Sequence, residues 1–101
     1  MNIESLIESD LISFTHDFNN LYIEFKVLLN NDTHVKLFAN NKNTDPISVE
    51  YRGLNINSNL TTSNNLPCLG EIESINTTNT SICFEGDFGF IKVNADTYSI
   101  E

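Results

Sequence analysis

The sequence predicts a mainly β fold: an antiparallel β sandwich or curled meander of about seven strands, with one short N-terminal helix. Three observations carry this. From Leu21 to Leu29, apolar and polar residues alternate with a period of two. Asn, Asp and Gly recur between the apolar runs, as hairpin turns require. Finally, Ser81 to Val93 sets two apolar runs around Glu85-Gly86-Asp87, a Gly-Asp hairpin signal. In its second run Phe88 and Phe90 fall on one side, with Ile91, Val93 and Ala95 on or near the other. A strand apolar on both sides belongs inside a sheet or between layers.

The elements follow in order. Ile3, Leu6, Ile7 and Leu11 recur at spacings of three and four, so Met1 to about Leu11 is expected as a helix capped by Asn2. Ser13 to Asp17 leads into the sheet. In the Leu21–Leu29 strand, Leu21, Ile23, Phe25, Val27 and Leu29 share one face; Tyr22, Glu24 and Lys26 take the other. Asn30-Asn31-Asp32 turns the chain, and Thr33 to Ala39 returns with Val35, Leu37 and Ala39 inward. After a polar loop ending at Pro46, Ile47, Val49 and Tyr51 form a third alternating strand. Gly53 shifts the phase so that Leu54 and Ile56 continue the apolar face, the mark of a β-bulge. Asn57 to Asn65 is a long polar connection, and Leu66 to Gly70 breaks regular pairing. Glu71 to Thr77 is a strand with Ile72 and Ile75 inward, and Tyr98 and Ile100 close the chain as a last one. No internal repeat and no linker is visible, so residues 1–101 read as a single domain.

Forty per cent hydrophobic content suffices for one core. No apolar run is long enough to span a membrane. The N-terminus lacks the basic and apolar regions of a secretory signal, which makes the cytoplasm the expected compartment. Cys68 and Cys83 fit that expectation as reduced thiols. The Asn-x-Thr/Ser triplets at Asn31, Asn59, Asn76 and Asn79 read as chance in so Asn- and Thr-rich a chain.

Charge is the informative bulk property. Fourteen acidic residues against five basic ones give a net charge of −9. Nucleic acid and anionic membrane are thereby excluded as direct partners, since both require a cationic surface. A cationic partner is favoured, or solubility alone. The charges are also uneven. From Met1 to Phe25 they are Glu4, Glu8, Asp10, Asp17 and Glu24; from Gly53 to Ile91 they are Glu71, Glu73, Glu85 and Asp87. If the end of the N-terminal segment and the turn of the Ser81–Val93 hairpin lie on one side, they create a single negative field that steers a basic protein.

Catalytic chemistry is not indicated. His16 beside Asp17 has no Ser or Cys nucleophile placed next to it, and adjacent strand residues point to opposite sides, so His16 or Asp17 is expected as a structural hydrogen-bonder at the helix-to-strand junction. His16, His34, Cys68 and Cys83 are zinc ligands in kind but not in spacing, so no metal site is expected. Gly86 and Gly89 flank a β turn and form no phosphate cradle. Glu71, Glu73, Glu85 and Asp87 facing a groove raise glycoside hydrolysis, but a chain without Trp lacks the usual sugar-stacking platform. No enzyme activity and no cofactor are therefore expected. A ligand-binding barrel would need a larger apolar cavity than strands this short enclose.

The layout resembles small immunity proteins of bacterial polymorphic-toxin and contact-dependent growth inhibition systems. The features are a short segment entering Phe14-Thr15-His16-Asp17, the alternating strand Leu21–Leu29 and a Tyr51-Arg52-Gly53-Leu54 strand end. A Glu71-Ile72-Glu73-Ser74-Ile75 strand follows, and the chain closes with Gly89-Phe90-Ile91 and Ile100-Glu101. In one such family a Phe-His-Asp triplet precedes the first strand; here Thr15 interrupts it. The resemblance implies a protein that binds one toxin domain, often a cationic nuclease, and covers its active site or substrate cleft. Carboxylates would then stand where nucleic-acid phosphates sit, with Glu71, Glu73, Glu85 and Asp87 the first choices and Asp10 and Asp17 next. Reversing Glu85 and Asp87 together is expected to weaken binding with the fold intact. The alternative is a non-catalytic β adaptor or subunit of a larger assembly.

Overall fold

The computed structural model describes residues 1–43, 45–54, 60–62 and 65–101. Among the described residues, eight antiparallel strands make one sheet: β1 (Asp10–Asp17), β2 (Tyr22–Leu28), β3 (His34–Asn40), β4 (Ser48–Arg52), β5 (Gly70–Thr77), β6 (Ile82–Gly86), β7 (Gly89–Asn94) and β8 (Thr97–Ile100). Their order is β4-β7-β6-β5-β1-β2-β3-β8. The mainly β antiparallel class is thus as the sequence indicates, and β7 lies inside the sheet, between β4 and β6.

The sheet folds over on itself so that its two halves share one core. Ile23, Phe25, Val27, Val35, Leu37 and Ala39 from β2 and β3 meet Ile72, Ile82, Phe84, Ile91 and Val93 from β5, β6 and β7. Phe25 and Phe84 touch across the halves at 4.6 Å between ring centroids. Phe14 of β1 reaches Tyr51 of β4 at 5.8 Å, although these strands are far apart in the sheet order. The halves are joined where β1 meets β5, through Asp10↔Glu71 and Leu11↔Gly70.

The path through each half is the same. β1-β2-β3 and β5-β6-β7 are meanders, and each is followed by a strand that leaves for the outer edge of the other: β4 pairs with β7, and β8 pairs with β3. The two crossing connections clasp each other, for the Lys42 amide donates to the Asp96 carboxylate (2.8 Å) and the Asp96 amide to the Asn41 side-chain oxygen (3.1 Å). The topology therefore repeats where the sequence does not.

Several sequence expectations are corrected. The N-terminal helix is only a 3-10 turn, Ile3–Leu6, and Asn2 makes no side-chain cap. Glu8 has φ +71°, which ends any helix, and the Glu8 amide donates to the Ile72 carbonyl while the Ile72 amide donates to that of Ser9. Pairing with β5 prevails over the local 3.6-residue pattern. Leu11 and Ser13 to Asp17 belong to β1, which bulges between Leu11 and Ser13. Gly53 (φ +56°) ends β4 rather than extending it, and Leu54 is 45% exposed. Ile56, positions 57–59 and positions 63 and 64 of the predicted connection lie outside the described residues. Further along, Thr61 pairs with Pro67 in an isolated bridge. The turn of the β6–β7 hairpin falls on Asp87-Phe88, one or two residues later than expected, because Gly86 and Gly89 pair with each other. Phe88 is fully buried there and no longer shares a face with the half-exposed Phe90.

Candidate functional site

The outer face of the β4-β7-β6-β5 half carries a depression of about 440 Å³, lined by Arg52, Gly53, Glu73, Glu85, Gly86, Gly89 and Phe90. Alternation decides which side chains arrive there. Ile91 and Val93 point into the core, so Phe90 points out; Phe84 points in, so Glu85 points out. Register places them side by side, since Phe90 pairs with Arg52 of β4 on one flank and with Glu85 of β6 on the other. Glu73 arrives by a bulge. β5 slips register between Ile72 and Ser74, with Ile72 opposite Gly86 and Ser74 opposite Glu85. Ile72 and Ile75 both pack on the core, which leaves Glu73 and Ser74 together on the outer face.

Close backbone contact holds this face. A methyl on Gly86 would lie 2.0 Å from the Glu71 carbonyl oxygen, and one on Gly89 (φ +105°) 2.3 Å from that of Gly53. Only glycine lets these strands approach so closely. The Arg52 guanidinium carbon stands 4.5 Å from the centre of the Phe90 ring. Among the described residues, the ion pairs are Lys36–Glu24 (3.5 Å) and Lys92–Glu50 (3.8 Å), so neither Arg52, Glu73 nor Glu85 belongs to one. Next to the depression, Glu50 is held below the usual carboxylate range by the Asn94 amide first and the Lys92 charge second.

The six carboxylates singled out by sequence separate into three groups. Glu73 and Glu85 are exposed and line the depression. Asp10, Glu71 and Asp87 gather at the β1–β5 seam, so the end of the N-terminal segment and the β6–β7 turn do lie close together. There the Glu71 amide donates to the Asp87 carboxylate at 3.0 Å. Burial, and secondarily the Asp87 charge, push the Asp10 carboxyl up. Asp17 stands apart in the β1–β2 turn, accepting from the amides of Asn19 and Asn20, both at 3.0 Å, and from the Asn20 side chain at 2.9 Å. These bonds, that of the Asn20 amide first, hold its carboxyl low. Asp17 thus holds the β1–β2 turn, and Asp87 ties the β6–β7 turn to β5. Reversing Asp87 to lysine would also remove the acceptor of the Glu71 amide.

Sequence reasoning passed over Arg52 and Phe90 as site residues. The alternation Phe90-Ile91-Lys92-Val93 carried the signal for Phe90; nothing local brings Arg52 of β4 to it. His16 stacks on the exposed Phe18 at 4.1 Å between ring centroids. Cys68 is buried and Cys83 half-buried, both as free thiols. Among the described residues no group of His, Cys, Asp and Glu side chains is arranged to hold a metal ion, and no helix is long and apolar enough to cross a membrane.

Fold and site together define an acidic all-β domain with an open, charge-lined outer face. Comparison of the chain with protein-family models, curated proteins and solved structures gave no match.

Proposed function

We propose that this domain is a binding protein that neutralises a cationic protein partner, an immunity protein for a basic toxin domain. One observation carries the reading. Glu73 and Glu85 stand exposed beside the Phe90 ring, on a face fixed by backbone packing, in a chain of net charge −9. An aromatic platform flanked by carboxylates suits anchoring on a basic surface, and the surrounding negative field accelerates encounter with it. The partner's cationic cleft would be covered by this face, with the carboxylates standing where substrate phosphates sit. The cytoplasm, where such a toxin acts, is the compartment the proposal implies.

The test starts from the reading frame immediately upstream of this chain's own. Its product's C-terminal domain is co-expressed with this protein, and the complex is titrated by calorimetry at two salt concentrations. Reversing Glu73 and Glu85 to lysine should weaken binding about 10- to 100-fold and flatten its salt dependence. An unchanged Kd and salt slope would remove the assignment.

A further inference from the structure

We infer that the outer-face depression is a cradle for an arginine side chain of the partner, and that Arg52 is the resident cation this arginine displaces from Phe90. The inference rests on the reading of the domain as a binder of a basic protein.

Across β4, β7, β6 and β5 the outer face runs cation, ring, carboxylate, carboxylate: Arg52, Phe90, Glu85, Glu73. The ring already holds a guanidinium, at 4.5 Å. That guanidinium is tethered on the β4 flank, opposite the carboxylates, and among the described residues it is in no ion pair with either. An arginine entering from solvent is free of this tether. It can lay its plane over Phe90 and turn its N–H fork toward Glu85 and Glu73, satisfying ring and carboxylates at once. A lysine offers a point charge without a plane and loses the stacking half of the contact. A small anion meets two carboxylates and is turned away. The face is therefore complementary to one kind of group, and Arg52 competes for the same ring.

This competition gives the proposal an unusual signature: truncating a residue that lines the site should tighten binding. The probes are two short peptides, acetyl-Gly-Arg-Gly-amide and acetyl-Gly-Lys-Gly-amide, titrated into the ¹⁵N-labelled protein and followed by amide chemical shifts. The arginine peptide should move the Glu73, Glu85 and Phe90 amides and bind more tightly than the lysine peptide. Arg52→Ala should tighten the arginine peptide about 2- to 5-fold. Phe90→Leu should erase the preference for arginine over lysine, and Glu73→Gln with Glu85→Gln should abolish both titrations. Equal binding of the two peptides, or an Arg52→Ala variant no tighter than the parent, overturns the cradle. If a basic partner co-purifies while the peptides fail in this way, the cradle alone is lost. If the peptides behave as expected and no basic protein is bound, the cradle stands and the proposed function is lost.

Discussion

Replacing Gly89 by alanine tests whether backbone apposition holds the outer face in shape. Gly89 has φ +105°, where side-chain-bearing residues are strained by about 1–3 kcal/mol. Its new methyl would also stand 2.3 Å from the Gly53 carbonyl oxygen, 2.8 Å from that carbonyl carbon and 3.1 Å from the Arg52 carbonyl oxygen. None of these atoms ends a flexible side chain, so relief requires β4 and β7 to part, at roughly 1–3 kcal/mol. The two effects together reach about 2–6 kcal/mol, against a total stability of roughly 5–15 kcal/mol for a typical domain. For about 100 residues each kcal/mol moves Tm by roughly 4–8 °C, so a fall of about 10 °C or more is expected. Gly53→Ala is the control. Its φ is +56° with nothing within 4 Å of the added methyl, so it carries the left-handed strain of about 1–2 kcal/mol without the collision. Thermal unfolding followed by circular dichroism compares the two. Equal losses in Gly89→Ala and Gly53→Ala, or a Gly89→Ala shift under about 3 °C, would refute the packing argument.

Further outcomes follow from the carboxylates and thiols. Asp10 titrates above its ordinary value in the folded chain, so the folded state holds its proton more tightly than the unfolded one. Its contribution is most favourable at low pH and declines as pH rises from the ordinary carboxylate value through the raised one. Asp10→Asn should therefore melt higher than the parent at neutral pH and equal to it below about pH 3; a lower melt at neutral pH contradicts this. Asp17 has the opposite sign, its stabilisation present above the ordinary value and lost as pH falls through the depressed one. Asp17→Ala should melt below the parent at neutral pH, with the gap closing in strong acid, and a gap constant with pH would discount the turn bonds. With a thiol reagent on the folded protein, Cys83 should react before Cys68, which burial shields and whose thiol it pushes up. Peptide mapping showing Cys68 labelled first reverses that assignment.

The β2–β3 hairpin was legible because everything that fixes it is local. Ile23, Phe25 and Val27 oppose Ala39, Leu37 and Val35 in register, and Asp32 takes the positive φ (63°) its turn demands. The N-terminal segment was not, since Ile3 and Leu6 fit a 3-10 turn as well as a helix, and the deciding bonds come from Ile72. The bulge at Glu73 left a trace: Ile72 and Ile75, an odd number apart, cannot both face inward on a regular strand. Of the site, Glu73 and Glu85 were found through charge alone. That Asp87 also holds a backbone amide was not legible, because a carboxylate aimed at a backbone amide looks no different in sequence from one aimed at water. For Asp17 the following Asn19-Asn20 hinted at a turn-binding role. Arg52 owes its place over Phe90 to β4 crossing to the far half, which no neighbouring residue encodes.

That exchange of outermost strands governs how the chain must be assembled. β3 is made early, yet its outer edge stays open until β8 is synthesised, and β4 has nothing to pair with before β7 exists. A growing chain therefore carries bare strand edges, templates for association with other chains, through most of its synthesis. The clasp of Asn41, Lys42 and Asp96 forms only when both crossings are in place. Pairings so distant along the chain belong to slow folding, and a cut between the two meanders should leave two pieces that regain structure only by finding each other.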